Sequence, residues 1–364
     1  MSKEERHLPA DSGPAHSEAG ASASSPARLT VVAQFDHQVT GVTVTPANRI
    51  IVNFPRWTED TAVSVAELLS DGSLRPFPNA EWNAWRNAKK DEITPHDHWV
   101  CVQSVVADRE GNVWVLDPAA PAQDRVVPKG PKLVKIDPHN RVVQTIAFDE
   151  SIAPQGSYLN DVRLGPDGRH AYITESGARG ALVVVELDSG NARRVLDGAA
   201  CTQSEKDVQI QVDGKVLRRT DGRGVEFSAD GIALSADGRW LYWQAIKGRT
   251  LYRVPTEALR DASLRPGQLE AQVERVGDNG PADGLWIDAS DRMYISAVQE
   301  NAVKVRECSQ VRTLVQDTRL RWPDTFSQGP DGTMYVTASH IPDMNWFRAD
   351  QPLTVRSALF RIEQ

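Results

Sequence analysis

Cysteine is scarce in this 364-residue chain: Cys101, Cys201 and Cys308 lie far apart and make neither a CxxC pair nor an even framework. That pattern argues against a disulfide scaffold and reads as reduced structural thiols. Long apolar runs are missing too. None approaches the roughly 18 to 20 residues that cross a bilayer, and the N-terminal stretch MSKEERHLPADSGPAHSEAGASASSPA lacks the apolar core of a secretory signal. No membrane partner is expected, and the expected location is the cytoplasm. Clustered positive charge is a third absence. Lys and Arg number 41 against 49 Asp and Glu, a net charge of −8, and they are scattered. Duplex binding needs a basic face that neutralises phosphates, so no nucleic-acid partner is expected. A Walker A loop, a GxGxxG after a strand, a GxSxG elbow and an HExxH helix are all absent, which leaves nucleotide chemistry and serine hydrolysis without local support.

What is present describes a globular protein with a sizeable core, 40% hydrophobic and 25% charged. Residues 1–27, rich in Ala, Ser, Gly, Pro and charge, bury too little apolar surface to offset ordering entropy. They are expected to form a flexible tail before a single domain, 28–364. Within that domain a degenerate phrase recurs six times: TGVTVTPANRIIVNF, QSVVADREGNVWVLD, NDVRLGPDGRHAYIT, DGIALSADGRWLYW, DGLWIDASDRMYIS and DTFSQGPDGTMYVT. Each reads as a short strand, a tight turn and a second strand rich in β-branched and aromatic residues. The turn positions Asn48, Gly111, Gly168, Gly238, Asp291 and Gly332 suit a positive φ or nearly so. Further strand pairs, such as ALVVVELDSGNARRVL and TLYRVPTEALRD, give about four strands per unit. The expected fold is all-β, a six-bladed β-propeller with four-stranded blades. Inserted loops at 75–100 and 198–225 account for the uneven spacing. The last unit ends in RSALFRIEQ with three strands, and the early strand at 27–35 is expected to close the ring by supplying the fourth.

Eight residues before each turn stand Thr40, Gln103, Asn160, Asp230, Asp283 and Asp324, all polar and all at the start of an apolar strand. Innermost propeller strands line the central channel, so these positions are expected to form one ring near the axis. For any single member the competing reading is a turn or strand-start cap bonded to nearby backbone. Three carboxylates on adjacent blades raise each other's pKa or recruit a cation, and a site of carboxylates and amides suits Ca²⁺, Mg²⁺ or Mn²⁺.

The second strands end in Arg56, Asp117, Glu175, Gln244, Gln299 and His340, a candidate outer circle whose competing reading is solvated loop residues. His340 beside carboxylates would serve as a general base. His96 and His98, in TPHDHW, share a face if that segment is extended, and are candidates for contact with substrate at the channel mouth or for the bare surface. Trp57, Trp82, Trp85, Trp99, Trp322 and Trp346 read equally as pocket walls and as plugs between blades.

PRWTED, GNVWVLD, SYLNDVRLGPDGRHAYITESG, ADGIALSADGRWLYW followed by TLYRVPTEALRD, and WPDTF together resemble the Yellow and major royal jelly protein family, over roughly residues 30–363. That family is similar in turn to the gluconolactonase and luciferin-regenerating group of six-bladed propellers, which hold a divalent metal on the axis. The resemblance implies metal ligation by Asp230, where the group has Asn, and by Asp283, where it has Asp, with Asn160 at a further Asn near the substrate. The group's first-blade Glu is replaced by Thr40, and Asp324 is placed to compensate. Yellow proteins include some linked to tautomerisation of dopachrome-like compounds and others that bind small amines.

The leading expectation is a metal-assisted hydrolase of a lactone or similar cyclic ester, with Ca²⁺ the first candidate cation and a small molecule as the partner. Asp230, Asp283 and Asn160 would be the ligands. Asp161, Asp324 and His340 would handle protons, and Thr40, Gln103, His96, His98, Arg56 and Glu175 would contact substrate. The alternatives are a metal-independent isomerase or tautomerase of a small ring compound, and a ligand-binding propeller without turnover. The sequence assigns no oligomeric state.

Overall fold

A computed structural model describes residues 27–58, 61–123, 125–177, 179–351 and 355–363. The expected tail, save Ala27, lies outside the described residues. Six four-stranded antiparallel sheets are arranged as blades, and an additional two-stranded hairpin, Gln211–Val212 with Lys215–Val216, sits in the loop between the third and fourth blades. The innermost strands are Gly41–Val44, Ser104–Ala107, Leu159–Leu164, Ala229–Leu234, Ala282–Ile287 and Pro323–Gln328. Each contacts the next around the axis, and the sixth returns to the first. All six expected turn residues have positive φ, from 58° at Asn48 and Asp291 to 84° at Gly111 and Gly332.

Closure follows the expectation. Strand Arg28–Phe35 pairs with Ser357–Glu363 and becomes the outer strand of the sixth blade, so both ends of the domain are held in one sheet. This removes the open edge that a three-stranded last blade would leave.

The core is divided into wedges, one between each pair of adjacent blades. On the second strand of blade 3, Ile173 packs toward blade 2 with Leu116 and Leu133, while its neighbour Tyr172 packs toward blade 4 with Leu241 and Trp243. Strand side chains alternate between faces, and here both faces are buried. That is why these strands read as nearly continuous apolar runs.

Cys101 and Cys201 are buried and Cys308 is exposed; all three are free thiols. Burial pushes the Cys201 thiol up to about 11 and raises Cys101 further, which makes both poor nucleophiles. Among the described residues no helix is long and apolar enough to cross a membrane.

Candidate active site

The six ring positions lie at the starts of the innermost strands, and none is more than 8% exposed. In blades 3 to 6 the pairing register shifts at this point, between Leu159 and Val162, Ala229 and Ile232, Ala282 and Leu285, and Pro323 and Phe326. Blades 1 and 2 pair without a shift. The four irregular blades are those carrying Asn160, Asp230, Asp283 and Asp324. A bulge re-aims a side chain and frees backbone N–H groups, and second-strand hydroxyls capture them. Thr174 Oγ1 accepts from Asp161 N, Ser296 Oγ from Asp283 N and Gly284 N, and Thr337 Oγ1 from Thr325 N. The same threonines donate onward to the next blade's ring carbonyl, Thr174 to Asp230 and Thr337 to Thr40.

The Asp-Gly pairs have a packing cause. A Cβ on Gly231 would lie 2.1 Å from the carbonyl oxygen of Asp283, and one on Gly284 would lie 2.0 Å from that of Asp324. The next blade's ring backbone occupies the space a side chain would need, so the glycine serves close approach of strands. The turn-cap reading of these two Asp-Gly pairs is therefore replaced.

The side chains form a connected polar group. Asn160 Nδ2 donates to Asp230 Oδ1, Asp230 is hydrogen-bonded to Asp283, and Trp322 Nε1 donates to Asp283 Oδ2 at 2.7 Å. Asp324 accepts from the Thr325 and Ser339 hydroxyls. Asp161 bonds Ser104 and stands 3.8 Å from Arg163. Burial pushes Asp230 well above the usual carboxylate range, and the charges of Asp283, Asp161 and Asp324 add to it. Asp283 is raised to about 7 by burial, against the Trp322 indole N–H that favours its anion. Asp324 is raised well above the range by burial and then by Asp283, and Asp161 is raised by burial with Arg163 opposing. The Asp230–Asp283 bond raises the first and lowers the second. The bond thus favours the protonated form of Asp230 and the anion of Asp283.

The other two ring members serve neighbouring contacts. Thr40 accepts from Asn53 Nδ2 at 3.0 Å, and Gln103 Oε1 accepts from the Tyr158 hydroxyl at 2.8 Å, which in turn accepts from Trp57 Nε1.

The outer circle does not converge on the ring. The Arg56 guanidinium is fully buried and donates to the carbonyls of Thr61, Asn83 and Trp99, tying down the 77–103 loop. Asp117 accepts from Val100 N, Cys101 N and Lys132. Glu175 accepts from Tyr158 N and Gly177 N and pairs with Arg194 at 2.8 Å. Gln244 bonds Asn279 and Gly280, and Gln299 accepts from Gln211 N. His340, at φ 55°, stands 3.4 Å from Asp343 and faces a cavity of about 490 Å³ at the edge of blade 6 with Gln34 and Phe35. His96 and His98 sit in a turn, where Pro95 interrupts extension and His98 Nδ1 folds back to Thr94 O and Asp97. The segment is not extended, so the condition for the two imidazoles to share a face is not met.

The ring is covered on its loop side. Trp322 packs with Val208, Ile210 and Val225 of the 197–228 loop and with Ile341 and Phe347. Asp213 of that loop pairs with Arg321 at 2.7 Å and Arg348 at 3.1 Å, and the Arg219 guanidinium lies 4.7 Å from the Trp346 ring. Trp57, Trp322 and Trp346 thus stand at the channel mouth. Trp82, Trp85 and Trp99 fill the 77–103 loop instead. Trp322 itself adopts φ 54°, a strained value for a large residue, held where its indole reaches Asp283. The sequence signal for that contact is the Trp-Pro-Asp order before the sixth inner strand.

The donor chemistry, oxygen throughout, is that of a hard-cation site. The arrangement does not match it: Asn160 turns its amide N–H on Asp230, and Asp230 turns on Asp283. Among the described residues no group of three His, Cys, Asp or Glu side chains is set to hold a metal ion. As arranged, the Asp230 carboxyl is engaged by Asn160 and Asp283.

Fold and ring define a class: a closed six-bladed β-propeller with buried carboxyl groups around its axis. The family model described as major royal jelly protein matches residues 100–344, more than half of the chain, and the protein belongs to that family. No curated protein matches the sequence. Among solved structures, a gluconolactonase from Xanthomonas campestris is similar at 11% identity and a TM-score of 0.56, over 92% of this chain and 89% of that one. A luciferin-regenerating enzyme is similar at 11% identity and 0.56, over 93% and 95%. A calcium-binding protein, regucalcin, from Agrobacterium tumefaciens is similar at 16% identity and 0.52, over 89% of each. These likenesses show the shared fold.

Proposed function

We propose that the chain is an enzyme that isomerises a small cyclic carbonyl compound by proton transfer at Asp230 and Asp283, without a metal. The observation that carries this reading is the hydrogen-bonded pair itself, whose bond favours a protonated Asp230 and an ionised Asp283, the latter raised to about 7. A single site then offers an acid and a base together. On a ring with a double bond β,γ to its carbonyl, ionised Asp283 takes a proton from the carbon between them as Asp230 gives one to the carbonyl oxygen, and a dienol forms. Return of a proton to a different carbon, with loss of the enol proton to Asp230, completes a tautomerisation with no net change in the pair. The Trp322 N–H stabilises the Asp283 anion, and Asp161 and Asp324 hold the surrounding field. With both carboxyl groups buried, entry of substrate from the covered side requires the 197–228 loop to give way.

The second reading is a lactone hydrolase assisted by Ca²⁺ or another divalent cation. Four acids near one axis support it, since a cation relieves their repulsion, and a gluconolactonase and a calcium-binding regucalcin share the fold. It requires Asp230 and Asp283 to turn away from each other. Metal analysis joined to a screen of lactones and cyclic enones tests both readings. Turnover of an enone that survives chelator and is lost in Asp283→Asn supports the first. Stoichiometric metal with chelator-sensitive lactone hydrolysis overturns it, and binding without turnover leaves a ligand-binding propeller.

A further inference from the structure

The 197–228 loop leaves the body between blades 3 and 4 and touches blades 2, 5 and 6, so it crosses the channel mouth. Its roots are fixed. Glu205 N donates to Lys247 O at 2.7 Å, Glu205 Oε1 accepts from Arg249 N and Thr250 N, Thr202 Oγ1 donates to Gly180 O, and Trp243 Nε1 donates to Cys201 O. On the returning side Ser228 N donates to Ser176 O at 3.1 Å, and Lys247 pairs with Glu226 at 2.8 Å.

Between these roots the chain folds on itself. Asp213 and Gly214, at φ 53° and 73°, make the two-residue turn that joins Gln211–Val212 to Lys215–Val216, a conformation that Asp-Gly favours. Leu217 N donates to Ile210 O at 2.8 Å, Arg219 N donates to Arg223 O at 2.7 Å, and Arg218 bridges to Gly224. The inner face carries Val208, Ile210 and Val225 against Trp322, and Lys215, Arg218 and Arg223 are exposed. Polar contacts tie the hairpin to the body. Gln211 N donates to Gln299 Oε1 at 2.6 Å, Thr220 N donates to Trp346 O at 2.7 Å, and Asp213 pairs with Arg321 and Arg348. Arg219 Nη2 donates to Gln123 Oε1 at 3.1 Å while its guanidinium lies over the Trp346 ring. Gln123 also bonds the Tyr158 hydroxyl, which donates to Gln103 Oε1. The Arg219 contact thus leads to a ring residue through two side chains.

We propose that residues 208–225 swing as one rigid gate over the carboxyl ring, hinged after Glu205 and before Glu226, with Arg219 as the latch that holds the closed gate to Gln123 and Trp346. The hairpin's own hydrogen bonds keep it folded while its contacts with the body break, and the hinge points lie between those bonds and the fixed roots. Asp213 is exposed, and its ion pairs hold weakly. Arg219 is half-buried and stacks on an aromatic face, which makes it the stronger polar tie. Opening frees Gln123 and Tyr158 from the gate beside ring residue Gln103. The role of the gate rests on the buried ring being the reactive site.

The test is residue-resolved amide hydrogen exchange of the whole protein without any ligand. Because it needs no turnover, its failure leaves proton transfer at the ring standing, and a failed enone screen leaves the gate standing. A rigid swing exposes Gln211 and Thr220 N–H, whose acceptors belong to the body, and keeps Leu217 and Arg219 N–H, whose acceptors belong to the hairpin, protected. Corrected for intrinsic rates, Gln211 and Thr220 are expected to exchange about tenfold or more faster than Leu217, Arg219, Glu205 and Ser228. Arg219→Gln is expected to speed Gln211 and Thr220 by about a further tenfold and to leave global melting unchanged. Gln123→Ala is expected to speed them less, and the double variant to do no more than Arg219→Gln. One common rate for all six amides would mean that the loop unfolds instead of swinging. Exchange of Gln211 and Thr220 only through global unfolding would mean that the cover stays shut, and parental Thr220 exchange in Arg219→Gln would mean that Arg219 is no latch. Each of these three results overturns the proposal.

Discussion

The Trp322 indole donates to Asp283 at 2.7 Å while the same ring is packed beneath Val208, Ile210 and Val225 of the covering loop. One side chain therefore links the cover of the site to the charge inside it. The hydrogen bond lowers the Asp283 pKa. Trp322→Phe should let it rise above about 7, moving the acid limb of the pH–rate profile to higher pH and lowering kcat below that limb. An unmoved limb would show that Asp283 is not the ionising base.

Asp283 also makes stability depend on pH. Its folded value of about 7 lies above the ordinary 3.8, so the folded state binds the proton more tightly than the unfolded chain does. The stability this group contributes is complete below the unfolded value and falls as pH rises through the folded one. Asp283→Asn cannot ionise. It should exceed the parent in urea melts at about pH 8 by a few kcal/mol, an order-of-magnitude figure, with the gain shrinking toward about pH 4. A gain independent of pH would locate the effect in packing.

Gly231 and Gly284 are expected to be intolerant positions. Their missing side chains leave room for the carbonyls of Asp283 and Asp324, and Gly284→Ala should cost about 3 kcal/mol or more in thermal or urea melts. Gly267 provides the control. It lies in the short helix Pro266–Glu270, and a methyl added there would meet nothing within 4 Å. Gly267→Ala should be neutral or stabilising by about 1 kcal/mol. Equal losses at both sites would contradict the close-approach explanation.

Much of this architecture was legible because its signals are local. Positive-φ residues at six turns and short apolar strands rich in β-branched residues fix hairpins without knowledge of distant contacts, and RSALFRIEQ visibly lacks a fourth strand. The ring was legible by register alone. Other features depended on contacts between distant segments. Asp230 and Asn160 are 70 positions apart in sequence yet hydrogen-bonded, and no spacing distinguishes that bond from a shared metal. Arg56, Glu175 and His340 read as near the ring because their strands end there. Their side chains instead meet loop carbonyls, Arg194 and Asp343. Arg163 carries a signal of its own, a lone cation within an inner strand.

Ion pairs at its rim join the apolar packing that covers the ring. Asp213 is the common partner of Arg321 and Arg348 but is 56% exposed, so each pair adds little stability. Asp213→Ala should leave global melting within about 0.5 kcal/mol of the parent while hydrogen exchange speeds up across 205–225. Unchanged exchange there would mean that apolar packing on Trp322 alone holds the loop.

The central claim is that Asp230 holds a proton against Asp283 at neutral pH. Carbon-13 NMR of the aspartate side-chain carboxyl carbons, followed from about pH 4 to about pH 9, tests it directly. The account predicts a carboxyl signal still protonated near pH 7 that disappears in Asp230→Asn, and a second that titrates near 7 and disappears in Asp283→Asn. Titration of every aspartate below about pH 5, as carboxylates bound to a cation would show, would contradict it.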